Sequence, residues 1–290
     1  MKIIRTARSM TAWSERLRRE GVTIGFVPTM GALHDGHRSL IRAARLRCDA
    51  LVVSIFVNPT QFSQTEDLSM YPRPIARDRA LCREDGVDVC FEPTALAMYP
   101  EGFQTTVTVP ALARRWEGAA RPHHFAGVAT VVTKFFGVVR PHLTLFGQKD
   151  YQQATLVRQL VSDLNLDVAI RVRPTVRERD GLAMSSRNVN LSPDERRIAP
   201  LLFQALRTGR LMVESGMSDV AAIERIMRQT IEQAPTIHVE YLAVCDSDSL
   251  QPLSVVADRA VLLGAVRIGS IRLIDNLLVK VLGGKSRSTS

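Results

Sequence analysis

TIGFVPTMGALHDGH (residues 23–37) passes from an apolar, β-rich run, through a turn, into a segment with helical spacing. Leu40, Ile41 and Ala44 carry that spacing through HRSLIRAARLRC (37–48). ALVVSIFVN (50–58) then follows, continuously apolar as a strand buried on both faces must be. The pattern repeats outward from this strand–helix–strand unit. IARDRALCRE (75–84) is helix-like and GVDVCFEP (86–93) strand-like; TTVTVP (105–110) reads as a further short strand. GVATVVTKFFGVV (127–139) reads as a buried helix, LTLFG (143–147) as a strand, YQQATLVRQLVSDL (151–164) as a helix and DVAIRVRP (167–174) as a strand. Strands alternating with helices predict an α/β domain with a parallel sheet covered on both faces.

After Val176 the order changes. RERDGLAMSSRNVN (177–190) is polar and turn-rich. Ser192-Pro193 marks the start of a long helix, with serine as N-cap and proline at the first helical position. A second helix is expected near residues 220–233, followed by the β-like runs HVEYLAVC, RAVLLGAVRIG and RLIDNLLVKVL. This is an α+β order, so the expected domains are 1–176 and a smaller 177–282. The polar tail 283–290 is expected to be disordered.

Of the 290 residues, 46% are hydrophobic and 23% charged, the balance of a globular protein. No apolar run approaches the ~20 residues that span a bilayer. MKIIRTARSM lacks the apolar core of a secretory signal, so a cytoplasmic location is expected. The four cysteines form no CxxC pair and read as reduced and structural. The net charge of +9 suits anionic partners, nucleic acid and phosphorylated small molecules among them. The arginines are scattered, however, and aromatics are only 6%, which argues against a nucleic-acid-binding face.

Ligands of a doubly wound sheet bind beyond the carboxyl ends of its strands. The turn after the first long strand ends in His34-Asp35-Gly36-His37, at a helix N-terminus whose free N–H groups and dipole favour an anion. Two imidazoles beside it could donate to phosphate, more strongly if protonated. The alternative is that one histidine caps the helix and the other lies on the surface. NPTQF (58–62) follows the second long strand, and its Asn58 and Gln61 suit a substrate bearing hydroxyls and a carboxylate, or form a plain turn. LFGQKDYQQ (145–153) again runs strand, glycine, helix. Its Lys149 is the only lysine between positions 135 and 279, and a compact ammonium can follow a moving phosphate charge. Asp150 either caps the next helix or accepts from ribose, and Gln153 lies one turn later. Ser185, Ser186 and Arg187 lie on a loop that could close over phosphates or merely link domains. RPHHF (121–125) adds Arg121 beside two adjacent histidines, which is poor metal-ligand spacing. No metal site built from protein ligands alone is expected.

Together VPTMGALHDGH, VSIFVNPTQF, YPR, RPHHFAGV, LFGQKDYQQ, DGLAMSSRN and RLIDN, in this order, make the chain resemble the pantothenate synthetase (pantoate–β-alanine ligase) family. HxGH alone would indicate only the wider nucleotidyl-transferase superfamily. The resemblance implies a Rossmann-like domain, a smaller α+β domain and a homodimer. It implies ATP-dependent condensation of pantoate with β-alanine through pantoyl adenylate, with Mg²⁺ arriving on the nucleotide. Carried over motif by motif, Met30, Gly31, Ala32, Leu33, His34, Asp35, Gly36 and His37 would form the nucleotide-binding turn, with His37 a proton donor. Gly147, Gln148, Lys149 and Asp150 would bind ATP, and Val176 would contact adenine. Met184, Ser185, Ser186 and Arg187 would be the closing loop. Pantoate or β-alanine would meet Gln61, Gln153, Asn58 and Arg121. His34, His37, Lys149, Ser185, Ser186 and Arg187 would carry the catalysis.

The chain departs from the family pattern at four places. His123 stands where glycine is usual, Asp35 where glutamate is common and Ile271 where threonine is usual. Arg77 replaces a common acidic residue, which weakens any paired acidic Mg²⁺ site with Asp78. A different adenylate-forming enzyme remains the principal rival reading, and NPTQF together with the glutamine after KDY argues against it.

Overall fold

The computed structural model describes residues 1–62, 68 and 71–281, so the tail expected to be disordered lies outside the described residues. The chain divides into two compact units, Met1–Val176 and Arg177–Ser290. Among the described residues no helix is long and apolar enough to cross a membrane.

The first unit is built on a parallel sheet of β1 (Lys2–Ile4), β2 (Ile24–Thr29), β3 (Ala50–Ile55), β4 (Val89–Phe91), β5 (Leu143–Gly147) and β6 (Ala169–Arg173), in the order β1-β4-β3-β2-β5-β6. The main connecting helices are α1 (Ala7–Arg19), α2 (Asp35–Arg45), α3 (Ile75–Glu84), α7 (His124–Val139) and α8 (Tyr151–Asp163). Three single turns, α4 (Ala95–Met98), α5 (Pro110–Ala113) and α6 (Glu117–Ala120), lie between α3 and α7. The apolar runs β2, β3 and β5 are buried because helices cover the sheet. Leu40, Ile41 and Ala44 of α2 pack on Val27, Leu51, Val53 and Leu145. TTVTVP forms no strand. Thr130 of α7 accepts the Val107 N–H at 3.0 Å, which satisfies that donor without a ladder, and Pro110 starts α5.

The strand order reverses beside β2. From β2 the chain steps to β3 and β4 on one side, while β5 and β6 lie on the other. A crevice forms at such a switch point, and a proline widens it. The Ile24 carbonyl accepts from the His142 N–H at 2.8 Å, and the Ile24 N–H donates to His142 Nδ1 at 2.9 Å. Residues 24, 26 and 28 therefore turn their backbone groups toward β5, since direction alternates along a strand. Pro28 brings no N–H to that side. Pairing between β2 and β5 stops at Phe26↔Thr144, whereas pairing between β2 and β3 continues to Thr29↔Ile55. The carboxyl ends of β2 and β5 thus part.

The second unit carries α9 (Pro193–Ile198), α10 (Leu201–Glu214) and α11 (Val220–Ile231), then an antiparallel sheet β7 (Ile237–Cys245), β8 (Arg259–Ile268) and β9 (Ile271–Lys280). Ser192 and Glu195 form a capping box at the predicted helix start. The single long helix expected there is two, because Pro200 cannot donate to the carbonyl four residues back. Leu202, Leu206, Ile223 and Met227 pack on Leu262 and Val266 of the sheet.

Pro28→Ala would return an N–H on the β5 side. The expected result is a Tm within about 4 °C of wild type, roughly 1 kcal/mol, and a weaker nucleotide affinity by titration calorimetry. Unchanged affinity would show that the parting of β2 and β5 does not depend on Pro28.

Candidate functional site

The turn after β2 is held by side chains. Thr29 Oγ1 donates to the Ser54 carbonyl at 2.6 Å and accepts the Gly31 N–H at 3.1 Å. Gly31 and Ala32 both take left-handed backbone angles, with φ of 85° and 51°. That conformation is unusual for alanine. Asp78 of α3, buried at 1% exposure, holds it by accepting the Ala32 and Leu33 N–H groups at 2.8 Å each. His34 is the N-cap of α2 and accepts the Gly36 N–H on Nδ1 at 3.1 Å. His37 Nδ1 accepts the His34 N–H at 3.4 Å. The open backbone donors expected at this turn are therefore largely closed by the protein itself. The two readings of the histidines also combine. A neutral imidazole that accepts on Nδ1 carries its proton on Nε2. Each ring thus secures the turn with one nitrogen and keeps an N–H donor on the other.

Both rings are neutral at pH 7. Burial pushes His34 down to about 4, helped by the nearby Lys149 charge. Burial pushes His37 down to about 3, helped by His34 and then Lys149. The ring centroids lie 4.1 Å apart, so two charges there would repel. The protonated imidazole considered from sequence is not the state of the free protein. The unfolded chain binds more protons between about pH 6.5 and those depressed values. Stability is accordingly complete above about pH 6.5 and is lost as pH falls through the folded values.

β5 ends at Gly147, one 3-10 turn covers Gln148–Asp150, and α8 follows. Lys149 and Asp150 are close enough for their charges to act on His34 across the gap between the ends of β2 and β5. Asp150 sits at the N-cap of α8 but makes no capping bond; Lys149 Nζ lies 3.6 Å from its Oδ1. Gln153, in the first turn of α8, is half-buried, and its side chain makes no hydrogen bond among the described residues. Val176 lies three residues beyond β6. Leu33 packs in the core at 2% exposure, while Asp35 faces solvent.

The turn after β3 joins this site through Gln61, whose Nε2 donates to Met30 Sδ at 3.0 Å. Asn58, 1% exposed, has no capacity left for a ligand. Its Nδ2 donates to Gln61 Oε1 and the Gly127 carbonyl, and its Oδ1 accepts from Thr60 and the Tyr99 hydroxyl. Its bond to Oε1 orients the Gln61 amide. Gly127 permits this approach, because a Cβ there would fall 2.4 Å from the Thr60 carbonyl oxygen. His123 is exposed, but His124 turns inward. Its Nδ1 donates to the Gln61 carbonyl at 3.0 Å and its Nε2 accepts from Arg121 at 3.3 Å. Arg121 also donates to that carbonyl, at 3.3 Å. Burial, then the Arg121 charge, pushes His124 down to about 4. A cavity of about 430 Å³ adjoins this region, lined by Met30, Gly31, Phe56, Pro59, Arg73 and Asp78 among others. Three residues that build the site, Asp78, Tyr99 and His124, carried no such role in the sequence reading. The spacing of Asp78 from the turn gives no hint of the contact.

In the second unit, Met184, Ser185, Ser186 and Arg187 form a closed turn rather than a slack loop. Ser185 Oγ accepts the Arg187 N–H at 3.2 Å, and its carbonyl accepts the Asn188 N–H at 3.1 Å. The Ser186 and Arg187 side chains make no hydrogen bond or ion pair among the described residues. Among the described residues no three His, Cys, Asp or Glu side chains gather as a metal cage.

The model of the family described as pantoate-beta-alanine ligase matches residues 2–278. The pantothenate synthetase of Heliobacterium modesticaldum is 50% identical over 281 residues, covering 97% of this chain and all of that one. Among solved structures, the pantothenate synthetase of Thermus thermophilus superposes with a TM-score of 0.91 at 46% identity, covering 96% and 99% of the two chains. The pantoate-beta-alanine ligase of Francisella tularensis, solved with β-γ ATP and β-alanine, gives 0.79 at 35% identity, covering 96% and 97%.

The tautomers can be read directly. In ligand-free protein at pH 7, ¹⁵N-resolved imidazole spectra are expected to show His34 and His37 as Nε2–H forms that do not titrate above about pH 5. Titration of either ring near 6.5 would contradict the capping geometry.

Proposed function

Because the chain belongs to the pantoate–β-alanine ligase family, we propose that the crevice between β2 and β5 holds ATP with its triphosphate against His34, His37 and Lys149. The enzyme condenses pantoate with β-alanine at the expense of ATP. The observation that carries the site assignment is the gathering of two neutral Nε2–H donors and one ammonium at the ends of adjacent strands.

In the proposed first step a pantoate carboxylate oxygen bonds to the α-phosphorus. The bridging bond to the β-phosphate breaks, and pyrophosphate leaves with that electron pair. The nucleophile is already an anion, so no general base is required. Charge grows on the α-phosphate oxygens and the leaving group, where fixed donors lower the barrier. His34, His37 and Lys149 would supply them, and the family resemblance gives Ser185, Ser186 and Arg187 the same task. Neutral imidazoles can serve here, each donating from Nε2–H. In the second step the β-alanine amine bonds to the acyl carbon, AMP departs and the amine proton passes to solvent. Gln61, oriented by Asn58, and Gln153 would hold pantoate, with Arg121 near its carboxylate. Gly147 and Asp150 would meet the ribose, and the Val176 backbone the adenine. Mg²⁺ would be held chiefly by the triphosphate, because Asp78 is spent on backbone N–H groups and Asp150 already faces the Lys149 ammonium. A homodimer is the assembly the family resemblance suggests.

Pantoate-dependent ATP–pyrophosphate exchange tests the assignment. Lys149→Ala should lower exchange roughly 100- to 1,000-fold, about 3–4 kcal/mol, with little change in Tm. Gln61→Ala should raise the KM for pantoate and leave that for ATP unchanged. A wild-type rate in the first variant, or unchanged pantoate affinity in the second, would remove that residue from the site.

A further inference from the structure

The RLIDN motif (272–276) lies on β9 and has no part in the chemistry above. Its Asp275, 5% exposed, meets Arg177 in a two-pronged ion pair, Nη1 to Oδ2 at 2.5 Å and Nη2 to Oδ1 at 2.9 Å. Arg177 is the first residue of the second unit. Its guanidinium also donates to the Gly181 carbonyl at 3.0 Å and lies 4.2 Å from the centre of the Phe203 ring. Gly181 takes φ of 96°, and a Cβ there would fall 2.1 Å from that ring, so the backbone lies flat on Phe203.

A buried ion pair is a poor device for stability, because desolvating both charges offsets most of their attraction. What it gives is a fixed position, and here it fixes the base of the turn at residues 184–187. Arg177 pairs with Ala183 as an antiparallel bridge, and the Glu178 N–H donates to the Leu182 carbonyl at 2.8 Å. Arg196 grips Glu178 and Asp180 at 2.6 Å each. Asn188 closes the far end through Glu178 and the Ala183 carbonyl. Residues 177–188 therefore form one stapled finger anchored on β9 and α10.

We propose that Asp275, acting through Arg177, is a positioning residue for the Ser185, Ser186 and Arg187 donors. The proposal rests on the reading that this turn meets the triphosphate. Displacements of about 1 Å in catalytic groups can cost around a hundredfold in rate, so a loosened finger would slow adenylate formation although Asp275 touches no substrate.

Four variants of the full chain separate this role from a merely stabilising one, with pyrophosphate exchange and Tm as readouts. Asp275→Asn keeps the shape and removes the charge. Its kcat is expected to fall roughly 10- to 100-fold, with the KM for pantoate unchanged. Hydrogen exchange should quicken at residues 183–188 and not in α2. The double variant Arg177→Met/Asp275→Leu replaces the pair by apolar groups; its Tm should approach that of wild type while its kcat stays low. Phe203→Leu, which removes the ring under the finger, should act in the same direction as Asp275→Asn. Arg187→Ala tests the underlying reading. Should Arg187→Ala be slow and Asp275→Asn fast, or should the double variant regain both stability and rate, the positioning role is refuted and the turn reading stands. If Arg187→Ala also keeps the wild-type rate, the turn reading fails and the proposal falls with it.

Discussion

The absence of one hydrogen-bond donor shapes the functional end of this molecule. Pro28 occupies the central strand at a position whose backbone faces β5, and it has no N–H to offer. A parallel ladder that continued there would join β2 to β5 up to their carboxyl ends. It stops at Phe26 instead, and the strands part where the order of the sheet reverses. The HxGH turn leaves from one lip of the opening and the Gly147–Lys149–Asp150 turn from the other. Burial first, and the Lys149 charge beside it, lower the proton affinity of both imidazoles.

The turn itself shows how a protein can satisfy its backbone and still keep donors for a ligand. Thr29, Asp78, His34 and His37 each accept a backbone N–H within a few residues of the strand end. For the histidines this has a chemical consequence. Accepting on Nδ1 fixes the tautomer, and burial keeps the ring neutral, so Nε2 is a donor over the whole physiological range. An approaching polyanion would meet two oriented N–H groups and one ammonium without waiting for a proton.

Much of this was legible in the residues. The alternation of apolar strands and amphipathic helices placed β2 through β6, and β2, β3 and β5 stand out most because they are buried apolar runs of five or six residues. HxGH and QKD lay at strand ends, where ligands gather. Other features left no readable mark. β1 is only three residues, too short to show a period. TTVTVP has strand composition but takes its hydrogen bond from a helix side chain, a tertiary choice that composition does not encode. Asn58 looks like a ligand from its motif, yet its polar atoms are consumed by Thr60, Tyr99, Gly127 and Gln61. Asp78 serves Ala32 and Leu33 from far along the chain. Hydrogen-bond partners distant in sequence are settled by the fold, and they decide which polar residues remain open to substrate.

The central claim is that one nucleotide lies in the opening between β2 and β5. A crystal structure of the enzyme with a non-hydrolysable ATP analogue and pantoate tests it most directly. The account predicts triphosphate oxygens within hydrogen-bond distance of Nε2 of His34, Nε2 of His37 and Nζ of Lys149. A triphosphate seated instead between the ends of β3 and β4, with those three groups facing solvent, would contradict it.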